Sequence, residues 1–418
     1  MESKPSAEFL PDLSHFLDVP PLSQPEPVAV FTRVADASTT TTTRRDFPGT
    51  CGNGRLRPPL LQPASVLRRL VGTALPEAEA GAREHDSSLR ALLDAVVAGG
   101  RAGPAAHAVA RAAVVTLRHN LNKVVLTAFP GAQDARTTRW AIDVEALGST
   151  IYLGIVDDDG GCDGDNCCAT GNHDDDDDDD AKKWQEQCSR WGLGFERVAT
   201  VPVDDHHHSS GRGRYSCTSP CLVAVRTRAG AHRLVVGAEV DAFDGAAARA
   251  HGDDGSAPLR TTAALVELKT HGAARRLPDA KLARVWVQAH LAGVPAVVVG
   301  HRDRRGVLCS TATLAVADIP RAWNAQAPAR HPPWHPRRAV TLLAQFVSWL
   351  RAHVAATPPD PSHCAPIRRL RIVCTPPADG DDTSFPHIST APVPSGSPLR
   401  VLSTAYINFI LPLIFPSS

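Results

Sequence analysis

Apolar residues recur at helical spacing over Ser87–Val97, where Leu89, Leu92, Leu93 and Val96 fall on one face. The same period runs through Ala105–Thr127, with Val114, Leu117, Leu121, Val124 and Val125 in line, so a single long helix is expected there. Strands are expected at Arg139–Val144 and, more clearly, at Ser149–Val156, before a helix over Lys182–Leu193. Leu222–Thr227, His232–Phe243 and Ala263–Thr270 read as strands. Lys281–Leu291 puts Leu282, Val285, Trp286 and Ala289 on one helix face, and Gly293-Val294-Pro295 ends it. Ala296–Gly300 is wholly apolar, as a strand buried on both faces would be. A turn at Asp303–Gly306 leads into Val307–Val316, and Val340–Val354 is a long amphipathic helix. Strands clustered between helices predict one mixed α/β, or α+β, domain.

The punctuation between these segments divides the chain. Residues 1–60 are rich in Pro, Ser and Thr, including Thr39–Thr43, and residues 1–24 are expected to be a disordered lead-in. The domain is expected to occupy residues 25–375, with Val28–Phe31 as an edge strand. Asp157–Asp180 carries too much like charge to pack and reads as a solvated insertion, and Asp204–Arg214 reads as a second loop insertion. Residues 376–418 read as a Pro/Ser-rich tail, whose Ile407–Phe415 stretch is apolar, interrupted by Pro412, and expected as a docked or irregular end. No internal repeat is present.

Composition narrows the function classes. The 418 residues hold 44 Lys+Arg and 44 Asp+Glu, so a nucleic-acid-binding surface would have to be a local groove. The start of the chain lacks a secretory pattern, and no run of about 18 apolar residues exists, so an intracellular chain without a membrane span is expected. The ten cysteines include no C-x-x-C pair and are expected to be reduced.

Two short patterns carry candidate chemistry. In Gly237-Ala238-Glu239-Val240-Asp241 and in Val266-Glu267-Leu268-Lys269-Thr270, residues two apart share a strand face. Glu239 would thus project with Asp241, and Glu267 with Lys269. Three converging carboxylates repel one another unless a cation lies among them, and Mg²⁺ or Mn²⁺ suits oxygen ligands. Such an ion activates water and polarises a phosphoryl oxygen. An acid followed by E-x-K is the general pattern of restriction-enzyme-like nucleases. E-x-K also occurs as a surface ion pair, but the E-x-D on an apolar strand ahead of it favours a site. Arg118 borders the apolar helix face near Leu121 and Val114, where a guanidinium suits a phosphate or snorkels as a structural residue. Gln288 borders the apolar stripe of its helix, where by spacing alone an ordinary flanking polar residue is the plainer reading. Cys162, Cys167, Cys168 and His173 fit no standard zinc spacing, and Asp157–Asn166 lacks the twelfth-position glutamate of a calcium loop. His206–His208 has no assigned role, and Arg302, Arg304 and Arg305 read as a solvated basic turn.

In order along the chain these segments resemble the DXO-type decapping exoribonucleases, a family that includes the nuclear partner of the fungal 5′–3′ exonuclease. Glu84-His85 and the helix after it, Thr116-Leu117-Arg118 with Asn122-Lys123, and Gly148–Leu153 are similar to its early motifs. Tyr215–Arg228 with Leu234–Asp241 resembles its strand pair ending in E-x-D, and Val266–Thr270 its E-x-K. Lys281–Gly300 resembles its glutamine helix and buried strand, and Asp318–Arg321 also fits. The resemblance covers roughly residues 25–355 and implies two mixed sheets flanked by helices, with a restriction-enzyme-like nuclease core and a deep pocket. It implies removal of a 5′ triphosphate, an incomplete cap or an NAD cap from RNA, with 5′–3′ degradation following in some members. Glu239, Asp241, Glu267 and the Leu268 carbonyl would be metal ligands, Lys269 and Gln288 would hold phosphate and water, and Arg118 would contact RNA phosphates. It implies a nuclear location and an exoribonuclease partner. The family's second motif ends in a glutamate, whereas here the place reads Gly154-Ile155 and acids begin at Asp157. Two readings follow: an RNA 5′-end hydrolase, or a degenerate member that stabilises a nuclear 5′–3′ exoribonuclease.

Overall fold

Among the described residues the chain builds two mixed sheets, one of nine strands and one of six. The structure, a computed structural model, describes residues 8–9, 11, 25–32, 60–77, 89–127, 129, 139–156, 175–201, 221–251, 261–273, 277, 279–325, 334–376, 386–393, 399 and 401–415. Strands β1 (Glu8–Phe9), β2 (Glu26–Thr32) and β3 (Leu60–Leu61) precede helices α1 (Ala64–Arg69), α2 (Arg90–Ala98) and α3 (Pro104–Ala110). β4 (Val114–Leu117) runs straight into α4 (Arg118–Leu126), followed by β5 (Trp140–Leu147) and β6 (Thr150–Val156). Next come α5 (Asp175–Ala199), β7 (Thr200–Val201), β8 (Cys221–Ala229), β9 (His232–Val240), β10 (Ala242–Phe243) and α6 (Gly245–Ala250). β11 (Leu265–Gly272), α7 (Asp279–Ala292), β12 (Ala296–Arg302), β13 (Leu308–Ala315) and α8 (Ile319–Asn324) follow. α9 (Pro336–Ala356), β14 (Ile367–Thr375), β15 (His387–Pro392) and α10 (Thr404–Ile414) come last.

The large sheet has the order β1-β15-β14-β5-β6-β4-β9-β8-β2, and the small one β13-β12-β11-β10-β3-β7. The main core joins one face of the large sheet (Ile142, Leu153, Val236) to α4, α7 and α9, and through them to Val297 and Val299 of the small sheet. The other face of the large sheet packs on α2, α3 and α10. The other face of the small sheet packs on Trp191 and Phe195 of α5. α9 is long and apolar enough to cross a membrane by composition, but it buries Leu343, Phe346, Val347 and Leu350 in the main core.

Several expectations change. The helix expected over Ala105–Thr127 is three elements: α3, the central strand β4 and α4. Val114-Val115-Thr116 is β-branched and lies in parallel between β6 and β9, buried on both sides. A fully buried apolar run satisfies a helical period by accident, because every position in it is apolar. The strand expected over His232–Phe243 is likewise two strands in different sheets, with the chain crossing from one to the other at Asp241.

α5 begins at Asp175, inside the stretch expected as a solvated insertion. Acidic residues are favourable in the first turn of a helix, so such a run reads as a helix start as readily as a loop. Residues 157–174 and 202–220, with the cysteine and histidine groups noted there, lie outside the described residues.

Both ends contribute to the domain. β1, from the expected lead-in, pairs with β15, and its Phe9 packs edge-on against Phe346 at 5.6 Å. The expected tail supplies β15, which pairs with β14, and α10, which is capped by Ser403 Oγ accepting the Tyr406 N–H. Of the two ends expected for Ile407–Phe415, docked or irregular, the docked one holds; β1 and β15 are disguised by apolar residues scattered among Pro, Ser and Thr. Arg302, expected in a solvated turn, is 6% exposed at the end of β12. Its guanidinium lies 4.3 Å from the Trp191 ring centroid and 5.6 Å from that of Trp184.

Candidate active site

Strand alternation separates the two faces of β11. Val266 and Leu268 point at α5, whereas Leu265, Glu267 and Lys269 point toward the main core and α7. Glu267 is 1% exposed. A carboxylate that deep must be paired, and both its oxygens are. Lys269 Nζ lies 2.8 Å from Oε1, and Arg118 Nη1 lies 3.1 Å from Oε2. Burial pushes the Glu267 carboxyl up, but the charges of Arg118 and Lys269 and their hydrogen bonds outweigh it and hold it at about 2.

Arg118 reaches this point because β4 ends at Leu117 and α4 begins with Arg118 itself. It is therefore not on the flank of a long helix, as its spacing had predicted; it stands at a strand-to-helix junction over the end of the central strand. Its Nη1 also donates to the Gln288 backbone carbonyl at 3.5 Å. That contact fixes α7 against the site, with Gln288 2% exposed.

Asp241 occupies the crossing between the sheets. β10 pairs antiparallel with β11 through Ala242↔Val266, and that register carried one residue on sets Asp241 opposite Glu267. Asp241 Oδ2 accepts the Leu268 N–H at 2.8 Å. In a strand a residue's N–H and C=O project to the same edge, so the Leu268 carbonyl shares the edge where Asp241 stands.

Glu239 behaves differently. It lies across from Leu222 in the β8–β9 ladder, on the side of Val235 and Gly237, and is half-exposed at the strand end. The expected common projection of Glu239 and Asp241 does not follow, because the chain leaves β9 at Val240 before Asp241 is reached.

The structure therefore brings together Arg118, Glu267, Lys269 and the Gln288 carbonyl, with Asp241 opposite Glu267 in the strand register. Glu239 stands apart from them, on the strand face of Val235 and Gly237 that packs on the α2–α3 side of the large sheet. Among the described residues no three His, Cys, Asp or Glu side chains gather as a metal cage. The donor chemistry still fits a hard divalent cation: Asp241 stands opposite Glu267 in the register, and the Leu268 carbonyl lies on the strand edge that faces Asp241. Sequence reasoning missed Lys281, whose Nζ donates to the Thr270 carbonyl at 3.3 Å. It also missed His271, although the same alternation that selected Glu267 and Lys269 reaches it two residues on.

An acid at a sheet crossing, facing E-x-K on the adjacent strand of a mixed sheet, places the chain in the PD-(D/E)XK nuclease class. More narrowly, it belongs to the RAI1-like PD-(D/E)XK nuclease family, whose model matches residues 66–373. Decapping nuclease RAI1 of Gibberella zeae is 30% identical over 181 residues, which cover 39% of this chain and 44% of that protein. The chain thus matches under half the length of that relative. Among solved structures, Scheffersomyces stipitis Rai1 in complex with (3′-NADP)⁺ and calcium ion has a TM-score of 0.61 at 16% identity, covering 94% of this chain and 97% of that one. Candida albicans Rai1 in complex with pU5 and Mn²⁺ has a TM-score of 0.59 at 15% identity, covering 94% and 96%. Identity at that level speaks for the fold.

Proposed function

We propose that the chain is a metal-dependent hydrolase acting on the 5′ end of RNA, removing a triphosphate, an incomplete cap or an NAD cap. The observation that carries this reading is the buried, ionised Glu267 held between Arg118 and Lys269, with Asp241 opposite. The relatives named decapping nuclease RAI1, and the RNA and metal ligands of the solved structures, support it. Asp241, Glu267 and the Leu268 carbonyl would form the donor set, and Glu239, on the other face of its strand, stands outside it. Held by that set, Mg²⁺ or Mn²⁺ would supply Lewis-acid polarisation of a phosphoryl oxygen and a more acidic water.

The chain's own side chains do the rest. Lys269 and Arg118 already lie against Glu267, so they are placed to receive the non-bridging oxygens of a phosphate that enters beside it. Gln288, on a helix pinned by Arg118, orients the water. Hydrolysis forms one bond from the water oxygen to phosphorus and breaks the phosphorus–oxygen bond to the leaving group. Continued 5′–3′ digestion, a nuclear location and an exoribonuclease partner belong to the same proposal and rest on the family alone.

The test is incubation of the purified chain with 5′-triphosphate, unmethylated-cap and NAD-capped RNAs in Mn²⁺. Release of a 5′ product from at least one is expected. A folded chain that releases none supports the second reading instead, a degenerate member that stabilises a nuclear exoribonuclease.

The Gly154-Ile155 place favours that second reading, and it can be examined directly. Gly154 has no room for a side chain, since a Cβ there would stand 2.9 Å from Val401 Cγ2. Ile155 is half-buried and, by alternation with Ile151 and Leu153, lies on the face that packs on α4. Because carboxylate count tunes affinity for hard cations, Ile155→Glu is expected to lower the Mn²⁺ concentration for half-maximal rate by about tenfold. An unchanged Mn²⁺ dependence would remove Ile155 from the site.

A further inference from the structure

β11 leaves the core at Lys269: Glu267 and Leu268 are buried, whereas Lys269, Thr270, His271 and Gly272 are all partly exposed. His271 lies two residues beyond Lys269 on the same strand face. In the parallel β11–β12 ladder it stands opposite His301. The two imidazoles meet edge to face, with centroids 6.4 Å apart and planes at 75°. Both rings are part-exposed. The opposite face of the same strands does have a structural occupant, Arg302 clamped by the α5 tryptophans. The face carrying Glu267 and Lys269 therefore continues outward as a corner of two aromatic rings.

We propose that His271 and His301 form a base-stacking subsite for the nucleotide next to the one whose phosphate is attacked. This rests on the reading that the chain acts on RNA 5′ ends. Unpaired bases stack on His, Tyr, Phe or Trp faces without regard to sequence. At the strand rise, His271 is about 6.6 Å beyond Lys269, a step close to the phosphate repeat of an extended single strand. A phosphate held by Lys269 thus brings the following base to the ring pair. Lys281, beside Thr270, adds positive charge for the intervening backbone. Burial lowers the affinity of His301 for a proton, which suits a neutral stacking ring rather than a second phosphate contact.

The measurement is the affinity of 5′-phosphorylated uridylates of one, two and five nucleotides, in Ca²⁺, for wild type, His271→Ala, His301→Ala, His271→Phe and His301→Phe. The wild type is expected to bind the dinucleotide more tightly than the mononucleotide. Each alanine variant should lose about tenfold in dinucleotide affinity, within the range for one stacked base, and keep mononucleotide affinity. The phenylalanine variants should retain the dinucleotide step. Wild-type length dependence in the alanine variants of a chain that releases 5′ products overturns the subsite alone. So does an equal loss for one and two nucleotides, or a failure of phenylalanine to substitute. A wild-type chain that binds no length and releases no 5′ product overturns the subsite together with the reading beneath it.

Discussion

Glu267→Gln is expected to cut the rate of 5′-end release by at least about a hundredfold, the scale seen when one charge-stabilising group is removed from an active site. The substitution keeps the shape and removes the charge. In the resting protein that charge is the shared partner of Arg118 and Lys269, and its loss leaves two cations facing a neutral amide. Glutamine also offers a much poorer oxygen to a divalent ion. Both effects act in one direction, so the drop should exceed what loss of a surface ion pair would give, about 0–1 kcal/mol. Steady-state rates on the preferred RNA, with circular dichroism to confirm folding, provide the check. A folded variant within tenfold of wild type would mean that the chemistry lies elsewhere.

Ending the chain at residue 393 is expected to prevent folding. Val401, Leu402, Tyr406, Ile407 and Ile410 are all buried against the α2–α3 side of the large sheet. At about 1.5–3 kcal/mol each for full burial, they contribute an upper bound of roughly 8–15 kcal/mol. Whole domains have only about 5–15 kcal/mol of net stability, so the sheet cannot lose them and remain folded. Two polar contacts deepen the loss. The Leu402 N–H donates to the buried Glu145 carboxylate at 2.8 Å, and the Tyr152 and Tyr406 hydroxyls meet at 3.2 Å. Soluble expression and a thermal melt of the shortened chain would show it; a cooperative transition within a few degrees of the full chain would contradict the docking of α10.

This dependence marks where the sequence was legible. β6, β11, α7 and β12 were readable because their apolar periods are flanked by clear breaks such as Gly293-Val294-Pro295. The E-x-K pair could be placed because Glu267 and Lys269 lie on one uninterrupted strand. Arg118 was selected, but through the wrong element: only the packing of Val114–Leu117 between β6 and β9 tells a central strand from a helix face. Asp241 was selected with a false alignment to Glu239, since a change of sheet between adjacent residues leaves no mark in a two-residue period. His301 was not selected because its partner His271 is its neighbour only through the β11–β12 register. α10 escaped because Pro412 lies inside it, and proline in a helix normally argues against one.

The central claim is that Asp241, Glu267 and the Leu268 carbonyl hold a divalent cation, and a Mn²⁺ titration of thermal stability tests it most directly. Binding to the folded chain alone stabilises by RT ln(1 + [Mn²⁺]/Kd), about 2.7 kcal/mol at a hundredfold excess over Kd. The melting temperature of wild type should therefore climb with Mn²⁺, and that of Glu267→Gln should stay flat over the same range. No climb in wild type, or an equal climb in both, would contradict a metal site at Glu267.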